Sequence, residues 1–214
     1  MLTEALTLQL GYNATLVGIG ATLLGLSAGV TGTFLFLRKR ALVSDAISHA
    51  TLPGVGLAFI AMVALGGDGR NLIGLLAGSA ASAWIGLLSV QWLTGRTRLT
   101  EDAAIGAVLS VFFGFGVVLL TVIQTMSSGR QAGLEDFLLG STAGMLFNDA
   151  VLIAVGGALS LALVLILRRP MTLISFDPEF AAASGIDTRR IDLAMMGLVM
   201  AVTVVGLKIV GLIL

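Results

Sequence analysis

The chain has 214 residues, of which 57% are hydrophobic and only 11% are charged. Soluble domains carry about 25% charged residues, so this composition indicates an integral membrane protein. Twelve basic and twelve acidic residues cancel, which leaves no excess of positive charge for binding nucleic acid. The absence of cysteine excludes disulfides, thiolate metal sites and thiol catalysis.

Six apolar runs follow one another along the chain, and each approaches the roughly 20 residues that a helix needs to cross a bilayer. They cover 14–37, 50–66, 71–93, 103–125, 150–167 and 193–210. The segment 134–147 is too short to span and begins with acidic residues, so we predict a short surface or re-entrant helix there. The predicted fold is an all-α, polytopic transmembrane helix bundle that forms a single domain over residues 1–214.

The basic residues between these runs sort onto two sides, because successive spans cross in opposite directions. One side receives most of them: Arg38, Lys39, Arg40, Arg96, Arg98, Arg168, Arg169, Arg189 and Arg190. The other side receives Arg70 and Arg130. Since basic loops stay in the cytoplasm, we predict that the first side is cytoplasmic and that the N-terminus lies outside the cytoplasmic (inner) membrane.

The chain has one histidine, and it lies four residues after an aspartate. On a helix, Asp45 and His49 share one face, one turn apart. A carboxylate and an imidazole in this arrangement form half of a site for Zn²⁺, Mn²⁺ or Fe²⁺. The alternative is that Asp45 caps a helix start and His49 is a hydrogen-bonded residue at the membrane interface.

Two other acidic pairs lie near predicted helix starts. Glu135 and Asp136, on the predicted outer side, either gather cations or a partner at an entrance or stabilise the dipole of the short helix that follows. Glu101 and Asp102 precede a span on the predicted cytoplasmic side, directly after Thr100, which suits the start of a helix cap. We interpret this second pair as helix-capping residues.

A short polar segment, 176–186, stands between two long apolar runs. Arginine pairs at 168–169 and 189–190 flank it, which places it in the cytoplasm. Asp177 and Pro178 suit the N-cap and first turn of a helix. The segment is therefore a candidate contact for a soluble partner. The alternative is an amphipathic loop on the lipid surface, although anionic lipid would repel its acidic side chains.

Several catalytic classes lack their motifs in this sequence. A single histidine cannot supply the paired histidines of an intramembrane metalloprotease. The chain also lacks the GxxxxGK[ST] loop that binds ATP phosphates. Energy for any transport must therefore come from an ion gradient or from another subunit.

Four segments carry more specific motifs: Phe34–Gly54, Thr100–Gly106, Leu134–Ser141 and Ser175–Ile186. Together they resemble the membrane subunits of ABC-type importers for zinc, manganese or iron, the ABC-3 permeases. The resemblance implies a permease subunit, not itself an enzyme, that moves divalent metal ions across the cytoplasmic membrane by alternating access.

In that family, the segment similar to 176–186 is the cytoplasmic coupling helix, which sits in a groove of the ATPase subunit. The resemblance assigns these residues to that contact: Phe176, Asp177, Pro178, Glu179, Phe180, Ala181 and Gly185. It also favours Asp45 and His49 as part of the metal's path. The implied partners are a cytoplasmic ATPase subunit, an extracytoplasmic metal-binding protein, and a second permease copy or related chain.

Two other function classes remain open from the sequence. One is a secondary metal or proton-coupled carrier, although the spans contain few carboxylates. The other is a structural membrane subunit that does not transport. Members of the resembled family continue past the point that matches Leu214, so we expect the permease domain to be incomplete at its C-terminus. Asp and His ligands suit zinc, manganese and iron alike.

Overall fold

The computed structural model describes residues 12–67, 69, 71–126 and 147–210. Its helices are α1 (Tyr12–Leu37), α2 (Leu42–Ala64), α3 (Leu72–Arg96), α4 (Glu101–Thr125), α5 (Phe147–Phe176), α6 (Pro178–Ala183) and α7 (Thr188–Val210). Every one of these except α6 contains a stretch long and apolar enough to cross a membrane. The prediction of an all-α bundle with six spans is confirmed. The short helix predicted at 134–147 lies, apart from its last residue, outside the described residues.

Two helices extend well beyond the apolar runs that predicted them. Helix α2 begins at Leu42, whereas the predicted span began at residue 50. Helix α5 continues past Arg168 and Arg169 to Phe176. Hydropathy marks where hydrocarbon ends, but backbone hydrogen bonds can continue a helix into water, so the apolar run underestimates the helix. The arginines that we expected in a loop are therefore helical.

Contacts among the described residues form two compact units, one of α2, α3 and α4 and the other of α1, α5, α6 and α7. In the first unit, α2 is the central helix and packs against both α3 and α4. More than half of its apolar stretch is buried. Val55 and Phe59 on α2 have no exposed surface. The single-domain prediction for residues 1–214 stays a prediction.

Glycines let α2 and α3 approach until their backbones touch. A Cβ added at Gly78 would lie 2.5 Å from the carbonyl oxygen of Gly54. Farther along the same contact, a Cβ at Gly86 would lie 2.7 Å from the Cβ of Ala50. Contacts that move forward on α2 move backward on α3, so the two helices are antiparallel. Close approach at small residues is how helices associate in membranes, where hydrophobicity does not drive them together.

Helix α4 packs along the other side of α2 and runs parallel to it. Gly116 faces Leu52 with no room for a Cβ, and a Cβ at Gly56 would lie 3.1 Å from Leu119. Residue numbers therefore rise together along this contact. Near the start of α4, Ala104, Ile105 and Val108 are also buried.

The second unit packs α1, α5 and α7 around one apolar cluster. The cluster consists of Val164, Met171, Met195 and Leu198, with Val30, Phe34, Leu167 and Ile191 against it. Polar contact adds to it, since the Ser27 hydroxyl lies 2.8 Å from the carbonyl oxygen of Gly157. Helix α6 is held against α5 and α7, with Ala181 fully buried. Helices α5 and α7 thus support α6, which lies between them in the chain.

Candidate functional site

The start of α2 carries both predicted metal ligands. Asp45 lies in its first turn and His49 one turn later. The Nε2 atom of His49 is 3.5 Å from Oδ1 of Asp45. The N-cap position belongs to Ala41, whose side chain makes no capping bond, so Asp45 is not the cap that the alternative interpretation required. The spacing of four residues therefore brings the two side chains together, as the sequence predicts.

The separation of the two side chains suits a shared cation. Two ligands at about 2.0–2.1 Å from a tetrahedral ion lie roughly 3.3–3.4 Å apart. The observed 3.5 Å between Nε2 and Oδ1 is close to this value, so both atoms can face one ion with little rearrangement. Among the described residues, no third His, Asp or Glu joins them, so this part of the chain offers two candidate ligands.

Helix α4 also contacts the imidazole of His49. The ring of Phe113 meets it edge to face, with ring centroids 5.1 Å apart and planes at 85°. The Nδ1 atom is buried and has no hydrogen-bond partner among the described residues. A buried polar atom without a partner is uncommon and carries a free-energy cost of about 1–3 kcal/mol. Polar groups that are kept at such a cost in stability are typical of functional sites.

A second charged contact links the beginnings of α2 and α4. The Nε atom of Arg40 lies 2.8 Å from Oε1 and 3.1 Å from Oε2 of Glu101. Both side chains are about one-quarter to one-third exposed. Thr100 caps α4 by accepting a hydrogen bond from the Ala103 amide, and Glu101, which we interpreted as part of this cap, lies in the first turn and also pairs with Arg40. The sequence carries no signal for this pair, because its members are far apart along the chain.

Helix α6 has the local structure that its sequence predicts. The Asp177 side chain accepts a hydrogen bond of 2.9 Å from the Phe180 amide, and Pro178 occupies the first turn. Gly185 adopts a φ of 81° just after the helix, in the left-handed region that favours glycine. The predicted coupling segment 176–186 thus contains a shorter, capped helix.

The surface of this segment is strongly exposed at its aromatic residues. Phe176 is 71% exposed and Phe180 is 58% exposed. Asp177 and Glu179 are also exposed, whereas Ala181 has no exposed surface. Ala181 therefore packs α6 against α5 and α7, and the aromatic and acidic side chains face outward. The other predicted acidic pair, Glu135 and Asp136, lies outside the described residues.

Comparison with known proteins assigns the chain to a family. Residues 12–214 match the profile of the ABC 3 transport family. The chain belongs to this family. The resemblance inferred from its motifs is confirmed, and the six candidate spans agree with a multi-pass membrane protein of the family.

Two named transport proteins are similar over almost the whole chain. The manganese transport system membrane protein MntC of Bacillus subtilis is 41% identical over 212 residues, which cover 99% of this chain and 48% of MntC. The zinc transport system membrane protein TroC of Treponema pallidum is 37% identical over 203 residues, or 95% of this chain and 66% of TroC. The chain therefore spans about half to two-thirds of the length of these relatives.

One solved structure has a similar arrangement of helices. It is PsaBC from Streptococcus pneumoniae in complex with Fab, with a TM-score of 0.78 and 30% sequence identity. The match covers 100% of this chain and 72% of that one.

Proposed function

We propose that this chain is the permease subunit of an ABC-type importer that moves divalent metal ions, with manganese, zinc or iron as its substrate. The observation that carries the proposal is the convergence of Asp45 and His49 at the start of a span, in a chain of the ABC 3 family. Relatives named as manganese and zinc transport proteins support this substrate class.

The metal path in this proposal passes Asp45 and His49. With two ligands from the described part of the chain, an ion would keep other ligands, such as water, and would be held loosely. Loose, incomplete coordination suits an ion that must leave again, whereas a structural zinc site is closed by four protein ligands. The partial exposure of both side chains, 58% for Asp45 and 31% for His49, supports access by a hydrated ion.

Energy enters through the coupling helix in this proposal. The exposed Phe176 and Phe180 would fill a groove of a cytoplasmic ATPase subunit, and Asp177 and Glu179 would meet its polar rim. Aromatic anchors surrounded by polar residues are the usual composition of such contacts. Closure of the ATPase would then move α5 and α7, which hold α6, and drive alternating access.

The remaining parts of the proposal concern the assembly. A second permease copy or related chain would pair with this one, and a metal-binding protein would deliver the ion from outside, where the N-terminus lies. Glu135 and Asp136 would help to gather cations at that outer entrance. The excess of arginine and lysine on one side of the predicted spans supports the orientation.

Uptake of manganese, zinc and iron by the assembled importer in proteoliposomes tests the metal path. We expect His49→Ala and Asp45→Ala to lower uptake at least about tenfold, as loss of a metal ligand does. The matched control is Ser48→Ala on the same turn, whose hydroxyl bonds only to the Ser44 carbonyl among the contacts described. Normal uptake by His49→Ala, with every metal, would refute the proposed path.

Co-purification of the ATPase subunit tests the coupling contact. Combined replacement of Asp177, Glu179 and Phe180 by alanine removes the exposed acidic side chains and the aromatic side chain at α6, so we expect the ATPase subunit to be lost. Ser184→Ala, an exposed change just after the helix, is the control and should retain it. Full retention by the triple variant would contradict the assignment.

A further inference from the structure

The ion pair between Arg40 and Glu101 joins the same two helices that hold the His49 ring. Arg40 lies two residues before the first residue of α2, and Glu101 is the first residue of α4. The single Nε atom of Arg40 reaches both carboxylate oxygens, at 2.8 and 3.1 Å. Partial burial of both side chains shields the pair from water, so the contact is stronger than an exposed ion pair.

Close apolar packing farther along α2 and α4 adds to this contact. It consists of small or aliphatic residues such as Leu52 against Gly116 and Gly56 against Leu119. In a membrane, lipid tails are as apolar as these side chains, and helix association depends on close packing and on a few polar contacts. The ion pair adds a charged contact at one end of this packing and thereby helps to restrict sliding of α4 along α2.

Phe113 is the residue through which the register of α4 affects the position of the His49 imidazole. It lies twelve residues after Glu101 on α4, about 18 Å along the helix at 1.5 Å per residue. It meets the His49 ring edge to face at 5.1 Å. Movement of α4 by one helical step would withdraw this aromatic edge, and the imidazole would be free to turn away from Asp45.

We infer that Arg40 and Glu101 are positioning residues for the metal path: their ion pair sets the register of α4 against α2, and Phe113 thereby holds the His49 imidazole toward Asp45. The inference rests on the proposed function for the identity of the ion. The positioning itself depends only on the contacts between α2 and α4. Neither residue touches the ion.

Metal uptake by the assembled importer in proteoliposomes provides the first test, with Mn²⁺ as the probe. We expect Glu101→Ala to raise the apparent KM for Mn²⁺ about tenfold, at the lower end of the effects seen for residues that orient metal ligands, with kcat little changed. The matched control is Asp102→Ala, the exposed acidic neighbour in the same first turn, which should leave KM within about twofold of wild type.

Reversal of the pair distinguishes positioning from general stability. The double variant Arg40→Glu with Glu101→Arg restores an ion pair of opposite polarity, so we expect KM to return most of the way to the wild-type value. A KM that stays normal in Glu101→Ala would overturn the inference. So would a folded double variant whose KM is as poor as that of Glu101→Ala.

A spectroscopic measurement separates this inference from the proposed function. Because the chain has one histidine, selective ¹⁵N-histidine labelling followed by assembly with unlabelled partners gives a single labelled imidazole. We expect its ring nitrogen signals to shift in Glu101→Ala and to return in the double reversal. If His49→Ala transports normally, the proposed metal path fails, yet these signals still test the positioning.

The conservative variant Glu101→Gln covers the case in which Glu101→Ala does not fold. The Gln side chain keeps a hydrogen-bond acceptor for Arg40 but lacks the charge. The His49 imidazole signals of Glu101→Gln should therefore shift from their wild-type positions, but by less than in Glu101→Ala. Signals identical to wild type in Glu101→Gln, together with unchanged signals in any Glu101→Ala that folds, would refute the positioning role.

Discussion

The start of α2 and the short helix α6 are both polar segments at the end of apolar helices, but different forces hold them. Helix α6 is specified by its own residues, through the Asp177 cap, Pro178 and Gly185. The start of α2 has no side-chain cap and depends on contacts with α3 and α4. A locally specified helix can face outward and bind a partner. A site held by tertiary contacts can respond when its neighbours move.

The largest expected effect is on the packing that supports α2. Gly54→Ala places a methyl group against the carbonyl of Gly78, which is backbone and cannot turn aside. We expect a loss of about 3 kcal/mol in the free energy of unfolding, the upper range for overpacking. Thermal unfolding in detergent measures it. Gly114→Ala on α4 is the control, because a Cβ there meets nothing within 4 Å. Equal midpoints for the two variants would show that tertiary packing does not hold α2.

A smaller effect is expected at the cap of α6. Asp177→Ala removes the acceptor of the Phe180 amide and should destabilise the helix by about 1 kcal/mol. We expect association with the proposed ATPase partner to weaken about fivefold, since a factor of ten corresponds to about 1.4 kcal/mol. A binding titration measures this.

Asn at the same position separates the cap from the charge. Asp177→Asn keeps an oxygen that can accept the bond, so α6 should remain formed while the carboxylate is lost. If Asp177→Asn weakens the association as much as Asp177→Ala, the charge itself contacts the partner, and local specification of the helix is not what matters there.

The smallest effect is expected where α6 ends. Gly185→Ala forces a side chain into the left-handed region, at a net cost of about 0.5–1 kcal/mol after the lower entropy of the unfolded chain is included. We expect faster hydrogen exchange at the Ile186 amide, which bonds to the Ala181 carbonyl. Gly185→Asn should exchange more slowly than Gly185→Ala, because asparagine tolerates this conformation. The reverse order would contradict the role given to Gly185.

Sequence reasoning succeeded where the interactions were short in range. The spacing of Asp45 and His49 predicted a shared helix face, and the two side chains do meet. The limits of α2 and α5 were misplaced because hydropathy reports the hydrocarbon boundary and not the helix end. Glu101 was interpreted from its neighbours in sequence as a capping residue, and only its contact with Arg40 reveals another role.

By itself, the sequence determined that this is a polytopic helical membrane protein of the ABC 3 family, with a capped polar helix within 176–186 and one acid–histidine pair. Composition, periodicity and caps act within one helix or across one bilayer, so they can be read along the chain. Only the tertiary structure decided that Phe113 supports His49 and that Arg40 pairs with Glu101. Those contacts join residues whose proximity depends on how apolar helices pack, and apolar helices in lipid carry little sequence signal for their register.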